Sequence, residues 1–204
     1  MTVRQVIELA KASELSGLSI ASKDDVILGF INIGVLELYK RFTLKVEEYI
    51  VTLEDNVSIY KMPDDFMWLV TAYGEVDSRS SELVNVLPIN ESDNPLSVNT
   101  VSWNKVQIPV SKNGSYVSLI YVASPAMYSL TDIDDTLDLP AQMLEPLLSY
   151  IGYRANSAID TGVQTEDNAW YIRFENSCTR VRTEGMINSN DMFTNGRIDT
   201  RGFV

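Results

Sequence analysis

The chain has 204 residues, 45% of them apolar and 22% charged, an ordinary globular balance with enough length for one core or two small ones. Its formal charge of −12, from 16 basic and 28 acidic residues, argues against sequence-independent binding to nucleic acid, which relies on Lys and Arg neutralising phosphates. It has no histidine and a single cysteine, Cys178, which excludes Ser-His-Asp and Cys-His nucleophiles, an intrachain disulfide and nearly every zinc site. Neither a P-loop nor a Gly-x-Gly-x-x-Gly stretch is present. The longest apolar runs, Leu147–Tyr153 and Val117–Val122, fall far short of the ~18 residues a membrane span needs. Thr2-Val3-Arg4-Gln5 lacks the basic-then-apolar order of a secretory signal, so assembly in a cytoplasm is expected.

Thr2-x-x-Gln5 is a capping-box pattern, and Val3, Val6, Ile7 and Ala10 share one face, which predicts a helix over about residues 3–14. Ser16-Gly17-Leu18-Ser19 breaks it. Ser22-x-x-Asp25 then opens a second helix whose apolar positions, Val26 through Phe42, step by three and four. From Leu44 the period changes to two. Val46, Tyr49 and Val51, then Val57, Ile59 and Lys61, read as two strands of a hairpin around Glu54-Asp55-Asn56, closed by Met62-Pro63-Asp64-Asp65. Trp68–Tyr73 is a further strand, and Leu83–Ile89 a weak one inside polar segments. Val106, Ile108 and Val110 alternate ahead of Asn113-Gly114, and Tyr116–Val122 returns, which predicts a second hairpin.

Asp138-Leu139-Pro140 signals a third helix. Pro146 allows two readings: a separate turn over Pro140–Glu145 with the helix starting near Glu145, or a kink. Leu147, Leu148, Ile151, Gly152, Ala155 and Ile159 keep helical spacing up to Asp160-Thr161-Gly162. Thr165-Glu166-Asp167 caps a fourth helix, with Trp170, Phe174, Cys178 and Val181 on one face and Gly185 at its end. Residues 186–204 show no sustained period but close on Arg197-Ile198-Asp199-Thr200-Arg201-Gly202-Phe203-Val204.

These elements, in this order, resemble podovirus-type phage head-to-tail connector (adaptor) proteins. Val3–Ala10 followed by Ile31-Asn32-Ile33-Gly34-Val35-Leu36-Glu37-Leu38-Tyr39 is similar to the family's opening, whose second helix often carries an Asn-x-Gly-x-x-Glu/Gln stretch. Tyr60-x-Met62-Pro63-Asp64-Asp65-Phe66 looks like its strand ending. Leu139-Pro140 with Leu147–Ala155 and Trp170-Tyr171-x-x-Phe174 resemble its third and fourth helices, and Arg201-Gly202-Phe203-Val204 its short tail. Two positions depart from the pattern: Pro146, where the family's helix runs on, and Phe203, where Trp is more usual. The resemblance implies a structural virion protein of the neck, in a homo-oligomeric, dodecameric ring beneath the portal protein and above a tail or nozzle protein. DNA passes through without specific binding, and the C-terminal segments reach into the portal.

Other patterns in the chain have plainer explanations. Thr131-Asp132-Ile133-Asp134-Asp135-Thr136 has the alternate carboxylates of a cation loop but lacks the Gly and distant Glu of a calcium site, so a solvated acidic entrance to the third helix is favoured. Glu47-Glu48, Glu54-Asp55 and Asp64-Asp65 supply carboxylates for glycoside hydrolysis. Adjacent strand residues point to opposite faces, however, and charged edges that resist aggregation explain these doublets better. Trp68, Tyr73, Trp103, Tyr116 and Tyr121 suit a sugar-binding face, a core or a subunit interface. A carbohydrate-binding or hydrolytic β-domain of a tail component is therefore the alternative. Arg154 and Arg173, on otherwise apolar helices, are candidates for pairing with acids.

The expected fold is α+β: a discontinuous helical bundle (1–43 and 138–185), an inserted β-sandwich or barrel-like part (44–137) and an extended tail (186–204). Phe30, Leu38, Leu148, Ile151, Trp170 and Phe174 are the expected helical core. Arg197, Arg201, Phe203 and Val204 are the expected docking residues toward the portal or a neighbour. No catalytic, cofactor or metal site and no membrane association is expected.

Overall fold

The computed structural model describes residues 1–75, 85–109, 115–157 and 169–185. They form a mixed α+β protein with two compact units, one from Met1–Leu44 and the described residues after Pro125, the other from Lys45–Ser124.

The first unit is helical. α1 (Val3–Ala12) carries the capping box its sequence announces: Thr2 Oγ1 accepts from the Gln5 N–H at 3.3 Å, and Thr2 N–H donates to Gln5 Oε1 at 2.9 Å. It stops sooner than the pattern suggests, because the Ser13 hydroxyl bonds the Leu9 carbonyl at 2.7 Å and the chain turns through Gly17 at φ 84°. α2 (Asp24–Phe42) starts without the expected Ser22 cap. Ser22 lies inside a 3-10 turn over Ser19–Ser22, its hydroxyl donating to the Ser19 carbonyl at 3.0 Å, so Lys23 takes the N-cap position and Asp24 and Asp25 favour the helix's positive end.

A 3-10 turn over Ala141–Met143 precedes α3 (Leu144–Ser157). Pro146 is thus its third residue, where a missing N–H costs no intrahelical bond, and the separate-turn reading is the one realised. α4 (Ala169–Thr183) ends before Gly185, whose φ of 62° and N–H bond to the Arg182 carbonyl at 3.2 Å close the helix. The breaker at 160–162 and the cap at 165–167 lie outside the described residues.

Val3, Val6 and Ile7 of α1, Ile27, Ile31, Val35 and Leu38 of α2, Leu147 and Ile151 of α3, and Phe174, Cys178 and Val181 of α4 share one buried core. Two glycines let the helices approach. A Cβ on Gly34 would lie 2.7 Å from Leu147 Cδ1, and one on Gly152 would lie 2.8 Å from Trp170 Cε3.

The second unit is built from seven strands, β1 (Val46–Thr52), β2 (Ile59–Lys61), β3 (Phe66–Glu75), β4 (Asn85–Leu87), β5 (Asn99–Ser102), β6 (Lys105–Gln107) and β7 (Tyr116–Ala123). One antiparallel sheet has the order β1-β7-β3-β4 and the other β2-β6-β5. Both sheets send side chains into a common core, Val51, Leu119 and Tyr121 from the first and Val106 and Ile108 from around the second. It is a sandwich-like arrangement.

The strands are largely where the period-two pattern puts them, but neither expected hairpin forms. β1 pairs with β7, while β2 pairs with β6 in the other sheet, so the turn at Asn56 (φ 63°) changes sheets. β6 likewise does not pair with β7; the turn at 113–114 lies outside the described residues. The reason is visible in burial. Val117 through Ala123 is buried at every position, so β7 must be a central strand covered on both faces. β6 buries only Val106 of its three residues and belongs to a sheet with one open face. The consecutive strands that do pair are β3 with β4 and β5 with β6, the latter two joined by the two-residue turn Trp103-Asn104. β4 is shorter than the expected Leu83–Ile89 strand, and 83–84 lie outside the described residues.

Candidate functional site

The acidic stretch 129–138 belongs to the folding of α1. Val3 and Arg4 N–H groups donate to the carbonyls of Asp135 at 3.1 Å and Ile133 at 2.7 Å, and the Leu137 N–H returns to the Met1 carbonyl at 2.9 Å. With Thr2 Oγ1 taking the Gln5 amide and Gln5 Oε1 taking the Thr2 amide, all four orphan donors of the helix start are satisfied. The carboxylates follow suit. Asp134 forks onto Arg4 at 2.6 and 3.0 Å, and the guanidinium holds its carboxyl below the usual range. Asp132 caps the turn at Ser129, whose hydroxyl and amide lower it as well. The stretch is therefore a clasp on the first helix. Among the described residues no three His, Cys, Asp or Glu side chains converge as a metal site.

Asn32, Tyr39 and Arg41 organise the rest of the helical unit. The Asn32 carboxamide meets the Tyr128 backbone at 2.8 and 2.9 Å. The Tyr39 hydroxyl donates to the Asp138 carbonyl at 2.9 Å, and burial raises its pKa. Arg41 reaches Glu37 and Glu175 at 2.7 Å each and stacks 4.6 Å above the Phe174 ring. Burial works against its charge, yet the two carboxylates outweigh that and its pKa is raised. Arg173 pairs with Glu14 at 3.1 Å, and Glu14 is 8% exposed.

Of the residues expected in the helical core, Leu38, Ile151 and Phe174 are buried, and Phe30 and Leu148 are half-buried against them. Trp170 differs: it is half-buried outside that cluster, with the Arg173 guanidinium 5.5 Å over its ring. Its ring lies against Gly152 of α3, where a Cβ would collide with it. Arg154 is exposed. Arg197, Arg201, Phe203 and Val204 lie outside the described residues.

In the β unit, Glu47 and Glu48 sit opposite Tyr121 and Ile120 and so face opposite ways; Glu48 accepts from the Ser118 hydroxyl and Glu47 lies 3.4 Å from Lys45. Tyr121 is buried and bonded to Asp65 at 3.0 Å. Trp68 pairs with Val122 in one sheet, and Trp103 caps a hairpin of the other, so the aromatics make no single sugar-binding face. Trp103 is 73% exposed, with exposed Val101 beside it and exposed Ile59, Lys61, Lys105 and Gln107 on the sheet's outer face.

The helical unit carries two surface hollows. One, of about 150 Å³, is apolar and lined by Met1, Leu137, Leu139, Pro140, Ala141 and Leu144. The other, of about 420 Å³, lies along α4 between Ile172, Arg173, Asn176 and Arg180 and reaches Glu145 on α3, which pairs with Arg180. No described helix is long and apolar enough to cross a membrane.

A family model described as SU10 adaptor protein matches residues 1–194, and the chain belongs to that adaptor family. Its function is that of a head-to-tail adaptor, a structural component of the virion. No curated protein matches the chain. A chain in the solved neck of an empty GTA particle, computed with C6 symmetry, aligns with 87% of this chain and 88% of its own length, at 9% identity and a TM-score of 0.31.

Proposed function

We propose that the protein is a non-enzymatic subunit of a closed ring, with twelve copies, seated between the portal protein and a tail or nozzle protein. The family match over residues 1–194 carries this reading. A ring of identical subunits needs two different, mutually complementary faces on each copy, because a face that pairs with itself closes a dimer. In this reading residues 1–43 with 138–185 act as the ring-forming and portal-facing part, 44–137 as the tail-facing part and 186–204 as an extended docking segment. Arg197, Arg201, Phe203 and Val204 then supply what such a segment needs, cations for steering and an apolar end for anchoring.

The charge balance fits a DNA passage. At −12 per copy a ring multiplies negative charge, and where acids face the lumen they repel phosphates and let DNA slide without specific binding. Mixing the full chain with the portal protein and imaging the product tests the reading. A stable ring complex is the expected outcome; a monomer that ignores the portal and binds glycans instead overturns it.

A further inference from the structure

We infer that Trp103 at the tip of the β5–β6 hairpin inserts into the apolar hollow beside Leu137–Leu144 of a second copy of this chain. The inference rests on the ring-subunit reading and names the two faces that such a subunit needs.

Trp103 is an unusual residue for its position. Two-residue hairpin turns favour Asn, Asp and Gly, whose backbones suit the turn, and a tryptophan there contributes nothing to either strand's packing. Its ring stands 73% exposed, with Val101 and Ile59 also open to solvent. The tip is nevertheless held firmly: the Met62 N–H, on a fully buried residue, donates to the Asn104 carbonyl at 2.9 Å. An exposed aromatic on an anchored turn loses little freedom on binding, the property of an interface anchor.

The hollow is of a size to seat part of the indole. At about 150 Å³ it is smaller than the ~300 Å³ or more of sites for small-molecule ligands. A cavity of ~150 Å³ lined by aliphatic side chains holds one six-membered aromatic ring, so the hollow takes one ring of the indole and leaves the other at its mouth. Leu137, Leu139, Pro140, Ala141 and Leu144 supply such a lining.

Charge pairs the same two faces. Lys61 and Lys105 stand directly opposite each other on β2 and β6, an arrangement that costs stability unless an acid relieves it. Asp64 answers Lys61 at 2.8 Å, while exposed Lys105 has no ion pair among the described residues. At the hollow, exposed Asp138 lies between two lining residues and exposed Asp135 two residues before them. In a chain this acidic, a lysine-flanked tryptophan and an apolar hollow whose lining segment carries exposed aspartates are complementary. Both are available on every copy, so the contact is heterologous and can propagate.

The test is self-association of the full chain, followed by sedimentation and native mass spectrometry, alone and with the portal protein. Trp103→Ala is expected to weaken association by on the order of 30-fold or more, as a buried interface tryptophan does, with its melting temperature unchanged. Ala141→Arg, which fills the hollow from an exposed position, should cost as much, and the two together no more than either. Lys105→Glu and Asp135→Lys should each weaken association, and the double variant should recover it. If Trp103→Ala assembles as the wild type does, the inference is overturned while the ring reading stands. If removing residues 201–204 weakens self-association and Trp103→Ala does not, the hollow takes the C-terminal end, and the inference is equally overturned. A wild type that stays monomeric with the portal present overturns both.

Discussion

The Asn32 carboxamide is paired with the backbone of Tyr128 in both directions, Nδ2 donating to the carbonyl at 2.8 Å and Oδ1 accepting from the N–H at 2.9 Å. This one side chain replaces the partners a strand would give, and it pins the segment leading into the acidic clasp onto α2. Asn32→Ala leaves two backbone groups without partners in a half-buried setting, at a cost of ~1–3 kcal/mol. Denaturant unfolding should show that loss as a lower midpoint at unchanged slope. An unchanged midpoint would mean that water replaces the amide without penalty.

Two glycines two turns or less apart on α2 should respond in opposite senses. Gly29 has open space where a Cβ would stand, whereas at Gly34 it would meet Leu147 and Tyr150. Gly29→Ala is therefore expected to stabilise the protein by up to ~1 kcal/mol through helix propensity. Gly34→Ala should destabilise it by ~1–3 kcal/mol through overpacking between α2 and α3. Thermal melts of the two variants side by side check the pair, and equal shifts would contradict the packing seen at Gly34.

The motif Asn32-x-Gly34-x-x-Glu37 shows what was legible and what was not. Its helix could be read from local spacing, because caps and the 3.6-residue period are properties of neighbouring residues. The reasons for its three residues are contacts with distant segments: Tyr128 for Asn32, Leu147 for Gly34, and Arg41, itself tied to Glu175, for Glu37. The strands tell the same story. Alternation places β1, β2, β6 and β7, but partner choice depends on which strand is buried on both faces, and only the continuous apolar run of β7 hinted at that. Ser22 failed as a cap because a 3-10 turn ends on it and the helix starts one residue further on than that cap requires, with Lys23 at the N-cap. Trp103 could be recognised as an aromatic in a β-rich region. Its exposure could not, since that depends on the Trp103-Asn104 turn, which polar flanking segments concealed.

Alkaline conditions should loosen the helical unit through Cys178. Burial pushes its thiol up to about 11, from an ordinary 9.0. A group whose folded pKa is raised contributes stability that is whole below its unfolded pKa and declines as pH climbs through the folded value. Stability should therefore fall between about pH 9 and 11, and Cys178→Ala should flatten that part of the profile. At pH 8 the native thiol should react with an alkylating reagent far more slowly than the unfolded one, because it is both enclosed and protonated. Fast native labelling would contradict its place in the core.

Acid should act on the other end of the unit, through Asp134. Arg4 holds this carboxyl below the ordinary 3.8, so its contribution is present above that value and disappears as pH falls through the lowered one. Both partners are exposed, and hydrogen exchange is the measurement suited to a contribution that salt screens. Asp134→Asn should speed exchange at the Val3 and Arg4 amides, which donate to the same segment, while leaving the α2 interior unchanged. Lowering the pH of the wild type should reproduce the effect as a loss of protection at those two amides, measured against their intrinsic rates at each pH.

Glu14 and Arg173 give a prediction of the opposite kind, in which two changes cost less than one. The carboxylate is nearly buried, while its guanidinium partner is half in solvent and also covers the Trp170 ring. Arg173→Ala strands the acid, and because water can enter where the guanidinium was, the cost should be ~1–3 kcal/mol, below that of breaking a fully buried pair. Replacing Glu14 by Gln in that background removes the stranded charge and keeps the shape, so the double variant should recover part of the loss. A double-mutant cycle on unfolding free energies measures the coupling. Additive losses would mean that the two residues are uncoupled, whereas recovery assigns Arg173 the task of partnering a nearly buried carboxylate from α4.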